Sequence, residues 1–573
     1  MVAKEKALQS DDVTVSRRDF LKKAGVVGGA VGAGVLMQGC STETGNAAGG
    51  TTEDESTNVA HWLPEKWDVE TDVLVVGSGD AGAPAAIRAY DGGAEVIVID
   101  KGEFFGGCSV LGGGNCQLAC TFVQTDNDIE DKPEWAFEDQ MVFGLHRSNP
   151  EVLQAWIDTS DEYARWVEDV CGGEWAGVTK QEPARVPRSH QIASYRDQPQ
   201  GSGVVFSMLF SEQLEERGIE VLLEHKMLRI YREPDGPVQG LEVETPDGII
   251  NMRARKAIII ATGGFKGNPQ MIRAWHPAFD ETLVWTGWPD VLPTGDGHLA
   301  TMNVGGGVVD MSFIMEFSGR LGTRQYVRWD RPHFDNPSTR TGLPNSNLEH
   351  IIFVENEGKR YLNEAGWEAG HTLPWLPHMI AFLQIEGRPR MEWMVTDQKG
   401  AEDAEWVEHE ESFLNPDPTQ TPCCEPGWVA KADTIAELAK QMGVPEANLE
   451  ATINQYNEYV AAGADADFER PGPLYPIVEP PFWAARWCRM PHDQCTGIRV
   501  NPTMQIVDQM FQWQPEGGDS VPITQEPVIP HLYAAGECTG GTGGAVRGSG
   551  KRGWYQVQGY IAGAAAAKED SLD

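Results

Sequence analysis

A strand, a glycine loop, a helix and a second strand follow one another between residues 72 and 100, and this order constrains the fold most. Asp72-Val73-Leu74-Val75-Val76 is a short β-branched apolar run, typical of a buried parallel strand. It leads into the pattern Gly-x-Gly-x-x-Gly from Gly77 to Gly82, and a second apolar run, 95–99, ends at Asp100. The arrangement predicts an α/β fold with a Rossmann-like, dinucleotide-binding domain.

Each residue of this unit has a predicted task. Gly77 makes the tight turn, Gly79 lets the backbone approach a pyrophosphate, and Gly82 lets the helix pack on the strand. The N-terminus of the helix offers free N–H groups to the phosphates. Asp100 lies 23 residues after Gly77, where an acid binds ribose hydroxyls and would repel a 2′-phosphate.

A second glycine-rich segment favours FAD over a nicotinamide dinucleotide. Residues 106–114 read Gly-Gly-Cys-Ser-Val-Leu-Gly-Gly-Gly. A backbone that lies against a large flat ring system needs such positions, because any Cβ would block the approach. Further glycine-containing motifs follow at 261–264 (Ala-Thr-Gly-Gly), 295–297 (Gly-Asp-Gly) and 533–537 (Tyr-Ala-Ala-Gly-Glu).

Together these motifs resemble the superfamily of FAD-dependent fumarate reductases and 3-ketosteroid dehydrogenases, in family order from about residue 68 to 567. The resemblance implies non-covalent FAD in a domain split between residues 65–314 and 493–573. An α+β capping domain is expected as an insertion at 315–492. The cofactor-binding residues that follow are Gly77, Gly79, Ala81, Gly82, Asp100, Lys101, Gly107, Cys108, Ser109, Gly113, Gly114, Thr262, Gly263, Asp296 and Glu537.

The insert carries signs of a separate unit. Asp433 is predicted to cap a helix over 434–442. A second helix is predicted over 448–461, where one apolar stripe contains Leu449, Ile453, Tyr456 and Val460.

The resemblance also assigns catalytic residues. FAD exchanges a hydride with a substrate carbon, and the family's reductases act on a C=C bond activated by a carbonyl or carboxylate. Arg547 ends a segment, 539–547, that aligns with the fumarate reductase segment whose final Arg binds the substrate carboxylate; the alternative is a surface or flavin-phosphate arginine. His492 lies within one position of a substrate-binding His of the family, and the alternative is a histidine of the domain hinge.

Two departures from the fumarate reductase pattern argue against fumarate as the substrate. Phe317 stands where that family has a His, and Glu368 stands where it has its proton-donating Arg. A carboxyl group cannot clamp a second carboxylate, so a larger and less charged substrate is expected. Phe317, Trp367 and Trp375 either line an apolar pocket for it or belong to the core of the insert. The proton donor stays open among Glu368, His371, Tyr361 and His378.

Three functions follow. The first is an exported reductase of an activated C=C bond in a small unsaturated organic acceptor. The second is a dehydrogenase of the 3-ketosteroid type, and the third, from another class, is a non-catalytic flavin electron carrier. Because the chain contains no Cys-x-x-Cys-His haem motif, an external donor, a cytochrome or a quinol-linked system, is expected to supply the electrons.

The N-terminal 64 residues are predicted to be a targeting signal followed by a linker. Residues 16–22, Ser-Arg-Arg-Asp-Phe-Leu-Lys, resemble a twin-arginine export signal, and the apolar run 24–37 is short for a ~30 Å hydrocarbon core. Residues 36–40 resemble a lipoprotein cleavage box ending at Cys40; an uncleaved membrane anchor is the alternative. Residues 1–40 are therefore assigned to the signal and 41–64 to a linker, with export and membrane contact only through Cys40.

Charge and cysteine usage limit the remaining partners. The formal net charge of −40 argues against nucleic acid, whose binding proteins need a basic face. Cys108, Cys116 and Cys120 do not match ferredoxin spacings, so no metal site is predicted, although an iron–sulfur cluster is left open.

Overall fold

The computed structural model describes residues 63–144, 146–180, 184–275, 293–312, 314–318, 343, 349–364, 392–410, 427–487, 489–494, 496–509, 523–541 and 551–573. These residues all belong to one compact unit, 61–573. None of the helices in these ranges is both long enough and apolar enough to cross a bilayer.

The strands are β1 (Val69–Val76), β2 (Val96–Ile99), β3 (Asn115–Gln117), β4 (Trp175–Thr179), β5 (Ser189–Ile192), β6 (Glu220–Leu222), β7 (Lys226–Arg232), β8 (Val238–Thr245), β9 (Gly248–Ile260), β10 (Val308–Val309), β11 (Ile314–Ser318), β12 (Ile352–Val354), β13 (Glu392–Thr396), β14 (Val429–Ala432), β15 (Phe482–Trp487), β16 (Arg489–Gln494), β17 (Gly497–Arg499), β18 (Gln505–Val507), β19 (Val528–Ala534) and β20 (Thr539–Gly540). The α-helices are α1 (Gly82–Asp91), α2 (Phe122–Asp126), α3 (Pro133–Phe143), α4 (Pro150–Asp169), α5 (Gly203–Arg217), α6 (Pro269–Trp275), α7 (Asp296–Asn303), α8 (Gln398–Asp403), α9 (Ile435–Met442), α10 (Glu446–Ala462) and α11 (Arg552–Ala566). Short 3₁₀ helices cover Gly107–Leu111, Val407–His409, Ile523–Gln525 and Gly536–Cys538.

The central sheet has eight strands in the order β18-β19-β9-β1-β2-β6, with β8 paired to β9 and β7 to β8. Strand β1 runs parallel to β2 and β9, with Val73 opposite Val96 and Ala257. Strand β19 is parallel to β9. The sequence-predicted strands at 72–76 and 95–99 lie in this sheet, and so do β9 and β19, which lead into the motifs at 261–264 and 533–537. Residues Val73 to Val75 are fully buried, as expected of a parallel strand covered on both faces.

The helix nearest the C-terminus packs on the first helix through backbone. Gly559 and Gly563 on α11 approach Ala81 and Ala85 so closely that an added Cβ would lie 2.0 and 2.2 Å from their carbonyl oxygens. The interface therefore needs residues without side chains, and it joins the last helix to the start of α1.

A separate antiparallel sheet of four strands, β12-β13-β15-β14, is formed within residues 352–487. Both of its faces are buried, because alternate residues of each strand enter two different cores. Phe353 and Met394 pack with Trp406 on one face, whereas Ile352 and Val395 pack with helices α9 and α10 on the other. In sequence this sheet interrupts the central sheet, which takes strands from before and after it.

The fold class predicted from the sequence, a split Rossmann-like domain with an inserted α+β unit, is therefore confirmed. The boundaries at 315 and 492 stay predictions. Strands β11 and β16, which pair antiparallel with Phe317 opposite Met490, run through both of them.

The two helices predicted in the insert are present, with one correction. Helix α9 begins at Ile435, and its N-cap is Thr434, whose side chain accepts a hydrogen bond from the Glu437 N–H at 3.2 Å. The prediction that Asp433 is the cap was wrong by one residue, because Thr434 already has the extended backbone of a cap. The stripe on α10 is buried as predicted at Leu449, Ile453 and Tyr456, and Val460 is partly buried against the same core.

Candidate functional site

Four parallel strands of the central sheet end at one edge, and each is followed by a predicted site segment. They end at Val76, Ile99, Ile260 and Ala534. In open α/β sheets, ligands bind outside the carboxyl ends of such strands. The glycine loop, Asp100, the Thr262-Gly263 turn and Glu537 are therefore brought to the same edge of the sheet.

The glycine loop has the predicted tight geometry. Gly77 has φ +110°, and a Cβ added there would lie 2.3 Å from the carbonyl oxygen of Ala261. A Cβ on Gly82 would lie 1.8 Å from the Gly77 carbonyl oxygen. Both positions therefore require glycine, the first for the turn and the second for packing the helix on the strand.

The start of helix α1 leaves hydrogen-bond donors without partners. Its N-cap residue, Ala81, has no side chain that can cap, and no carbonyl in the described part of the chain accepts the N–H groups of Gly79, Ala81 or Gly82. Orphan N–H groups and the positive end of the helix dipole together favour an anion.

Asp100 also organises the loop itself. Its buried carboxylate accepts hydrogen bonds at Oδ2 from the Ser78 N–H (2.8 Å) and hydroxyl (2.7 Å), and at Oδ1 from the Gly102 N–H (2.8 Å). Oδ2 is thus saturated, whereas Oδ1 keeps one lone pair. Ribose binding by Asp100 stays a prediction, and it rests on Oδ1.

Two predicted cofactor residues, distant in sequence, contact each other. Lys101 Nζ lies 2.6 Å from Asp296 Oδ2 and also donates to the hydroxyl of Thr294. The pair is about four-fifths buried and joins the end of β2 to the start of α7. At this distance Lys101 and Asp296 already neutralise each other. A cofactor that contacts either side chain would therefore bind to the ion pair and not to a lone charge.

The second glycine segment uses its glycines in two ways. Gly107 has φ +49°, and a Cβ there would point into open space, which leaves room beside the backbone. A Cβ on Gly114 would instead lie 2.7 Å from the backbone of Gly201, so packing within the protein already requires that glycine. A Cβ on Gly113 would meet its nearest protein atom at 3.8 Å. Cys108, next to Gly107, is half-buried.

Glu537 is held by a lysine that the sequence interpretation missed. Its Oε1 accepts from Lys266 Nζ at 2.8 Å and from the Gln494 N–H at 3.2 Å, and both charged side chains are about nine-tenths buried. Two residues beyond strand β9, the buried hydroxyl of Thr262 has no hydrogen-bond partner among the described residues. Gly263 (φ +71°) makes the turn that follows it.

A buried ion pair inside the glycine loop was also missed. Asp80 Oδ1 lies 2.5 Å from Arg552 Nη1 and 3.1 Å from Gln556 Nε2. Arg552 also donates to the carbonyl oxygens of Ser109 (2.6 Å) and Gly113 (3.2 Å). The Ser109 hydroxyl accepts from the Asp80 N–H at 2.9 Å. The sequence contained one indication of this pair, since Asp80 lies within a phosphate-binding loop. A carboxylate in that place predicts a nearby cation that neutralises it.

Of the predicted catalytic and proton-donor residues, only Tyr361 has a described side chain, which is partly buried against the core around Trp406. Arg547 and Glu368 fall in residues 542–550 and 365–391, which are not described, as do His371, His378, Trp367 and Trp375. His492 lies in strand β16, which pairs with the strand that contains Phe317. The export signal, Cys40 and the linker up to residue 62 are likewise outside the described ranges.

A family described as "FAD binding domain" matches residues 72–552, most of the chain. The chain belongs to this family. FAD is thus the dinucleotide, and its recognition from the sequence is confirmed.

Comparison with known proteins places the chain among FAD-dependent reductases. It is 27% identical to a probable fumarate reductase, Ifc3, of Shewanella frigidimarina over 87% of this chain and 75% of that protein. It is 27% identical to digoxin reductase of Eggerthella lenta over 92% of each chain. The open conformation of a flavocytochrome c3 fumarate reductase superposes with a TM-score of 0.68 at 25% identity, covering 88% of this chain and 79% of that one. The chain is an FAD-dependent oxidoreductase of the fumarate reductase-like class.

The described residues fit FAD. The orphan N–H groups of Gly79, Ala81 and Gly82 suit its pyrophosphate, Asp100 Oδ1 suits a ribose hydroxyl, and the open side of Gly107 leaves room for a flat ring. When bound, FAD supplies a centre that accepts and releases a hydride. Among the described residues, no group of three or more His, Cys, Asp or Glu side chains is arranged for a metal ion.

Proposed function

We propose that this chain is an exported reductase that transfers a hydride from non-covalently bound FAD to an activated C=C bond of a small organic acceptor. The observation that carries the proposal is the match to the FAD binding domain family over residues 72–552, with a probable fumarate reductase, a urocanate reductase and an acrylate reductase flavoprotein subunit among the relatives that match most of the chain. The inserted unit at 352–487 supports a catalyst over a simple electron carrier, because a carrier needs no closing domain.

Arg547 is the proposed substrate-binding residue, and the support is the resemblance of residues 539–547 to the fumarate reductase segment whose final Arg binds the substrate carboxylate. Within that segment, the carbonyl oxygen of Gly541 accepts a hydrogen bond from the Asn149 N–H at 2.6 Å. Lys551, after it, forms a β-bridge with Cys116, just beyond the second glycine segment. Arg547 itself lies outside the described residues. A planar, permanently charged guanidinium at this place suits a carboxylate or polarised carbonyl.

The acceptor is proposed to be larger and less charged than fumarate. The support is the pair of departures in sequence, Phe317 and Glu368 in place of a His and an Arg. The proposed proton donor at the second carbon of the double bond is one of Glu368, His371, Tyr361 and His378. His492 is the proposed contact to the substrate from strand β16.

One panel tests the reaction class. Anaerobic holoprotein is reduced with dye, and flavin re-oxidation is followed across unsaturated acids, enones and aromatic acrylates. Re-oxidation by at least one of these compounds is expected. If none of these compounds re-oxidises the flavin, and saturated ketones instead supply electrons that reduce an oxidised dye, the protein is a dehydrogenase of the 3-ketosteroid type.

The same assay tests Arg547. Arg547→Lys is expected to lower kcat/KM by at least about 100-fold, because a point charge replaces the forked donors. Arg165→Ala is the matched control, since this half-exposed arginine pairs with Asp161 on the surface of α4. Equal activity of both variants would remove Arg547 from the site.

The electron donor is proposed to be a separate cytochrome or quinol-linked protein. The purified protein is therefore expected to accept electrons from low-potential dyes and very slowly from NADH. Fast reduction by NADH contradicts this proposal.

The proposed non-covalent binding of FAD is tested by acid precipitation of the protein. The flavin is expected in the supernatant, whereas a yellow pellet would indicate a covalent bond.

Export through the twin-arginine route, with a lipid on Cys40, is proposed from residues 16–40. Substituting both Arg17 and Arg18 with Lys is expected to retain the protein inside the cell. Cys40→Ala is expected to shift exported protein from the membrane fraction to the soluble fraction. Normal export of the Lys-Lys variant would refute the route.

A further inference from the structure

The phosphate loop carries a negative charge at the place where a pyrophosphate is expected. Asp80 lies between Gly79 and Ala81, directly before the orphan N–H groups at the start of α1. Its side chain is about nine-tenths buried. An unpaired carboxylate here would oppose a bound dianion, because a buried charge is poorly screened by water.

Arg552 supplies the opposite charge and uses all three guanidinium nitrogens. Nη1 bonds Asp80 at 2.5 Å, Nη2 bonds the Ser109 carbonyl at 2.6 Å, and Nε bonds the Gly113 carbonyl at 3.2 Å. The arginine side chain is 6% exposed. One cation thus joins the phosphate loop to two carbonyl groups of the second glycine segment.

Another residue of helix α11 also stabilises the ion pair between Asp80 and Arg552. Gln556 donates to Asp80 Oδ1 at 3.1 Å and accepts from the Tyr163 hydroxyl at 2.8 Å. Burial is the largest influence on the Asp80 carboxyl and raises its pKa, while Arg552 acts in the opposite direction. The charged carboxylate therefore depends on Arg552.

We propose that Arg552 is an FAD-positioning residue: its buried ion pair with Asp80 cancels the charge of the phosphate loop and aligns the loop with the second glycine segment, so that the loop accepts the pyrophosphate of FAD. The inference depends on FAD binding and not on the proposed substrate. The contrasting possibility is a cross-link that only stabilises the fold.

The two possibilities predict different effects of Asp80→Asn and of the double variant on FAD binding. If charge is what matters, Arg552→Met weakens FAD binding, because Asp80 then faces the pyrophosphate alone. Asp80→Asn leaves FAD binding within about threefold or tightens it, and the double variant recovers most of the loss. If the pair is only a cross-link, both single variants weaken binding and the double variant is no better.

The experiment measures FAD release from purified holoprotein by the rise in flavin fluorescence on dilution. Arg552→Met is expected to raise the dissociation constant by at least about tenfold. Arg552→Lys, which keeps the charge, is expected to stay within a few-fold. Matched controls are Arg232→Met and Asp508→Asn, which break a similarly buried ion pair of 2.7 Å away from the loop. They are expected to lower the unfolding temperature without weakening FAD binding in the folded protein.

Each outcome of this experiment either supports or overturns the proposed role of Arg552. Recovery of FAD affinity in the Asp80→Asn/Arg552→Met protein supports the proposal, even if Arg552→Met alone does not fold. Loss of affinity in Asp80→Asn that equals the loss in the double variant overturns it. A tenfold weakening in the folded Arg232→Met control overturns it as well, because breaking any buried pair would then have the same effect.

Discussion

Gly559→Ala is predicted to destabilise the protein although it replaces glycine by the best helix former. Gly559 lies in the interior of α11, where helix propensity alone favours alanine by about 1 kcal/mol. The added Cβ would, however, lie 2.0 Å from the Ala81 carbonyl oxygen, 2.8 Å from its carbonyl carbon and 3.0 Å from its Cα. All three atoms are backbone, so no side chain can rotate away.

The magnitude follows from these two opposing effects. Overpacking costs about 1–3 kcal/mol, and a contact with backbone belongs at the upper end of that range. After subtraction of the propensity gain, about 2 kcal/mol of destabilisation remains. Because Ala81 precedes α1 at the phosphate loop, the displaced helix is also expected to weaken FAD binding.

The assay heats holoprotein and records the temperature of FAD release by fluorescence, together with unfolding by circular dichroism. A decrease of several degrees is expected for Gly559→Ala, at the scale of roughly 2–4 °C per kcal/mol in mid-sized domains. The control Ala565→Gly, at a half-buried position of the same helix, is expected to lose only about 1 kcal/mol. A higher release temperature for Gly559→Ala would refute the close backbone approach of the two helices.

Three further predictions concern other parts of the chain. Thr434→Ala is expected to cost about 1 kcal/mol in urea unfolding through loss of the α9 cap, whereas Asp433→Ala stays within about 0.5 kcal/mol; the reverse order would restore Asp433 as the cap. Lys266→Met is expected to cost about 3–5 kcal/mol because Glu537 loses its buried counter-ion, and Lys266→Met/Glu537→Gln is expected to recover part of it; no recovery contradicts the pairing. Burial lowers the pKa of His190 and of His298 from 6.5 to about 4, so the unfolded state binds protons first and stability is expected to fall as the pH drops from about 6.5 to 4. His298→Gln should flatten that dependence in unfolding titrations, exposed His146→Gln should not, and an unchanged slope in His298→Gln would contradict the buried neutral ring.

The first βαβ unit could be predicted from the sequence because its information is local. The β-branched run before Gly77 gives the strand, and the positions of Gly77 and Gly82 give the turn and the packing contact. In the structure β1 extends three residues further toward the N-terminus than the predicted 72–76, because Val69 to Thr71 pair with β9, which no local pattern records.

The partners of the predicted site residues could not be predicted in the same way. Asp80 and Arg552 are separated by 472 positions, and Lys101 and Asp296 by 195. Only the folded sheet brings such residues together. The Asp433 error has a different origin, since Asp and Thr are both good N-caps and the choice between neighbours depends on where the backbone leaves its extended conformation.

The position of Arg552 also affects the order of events during synthesis. Strands β18 and β19 and helix α11 all follow the inserted unit in the chain, yet the two strands belong to the central sheet that contains β1, and α11 packs on α1. A growing polypeptide that has emerged only as far as β16 lacks the counter-ion of Asp80 and the neighbour of β9. If Arg552 positions FAD as proposed, we expect cofactor loading to be a late event that follows the docking of helix α11 on α1.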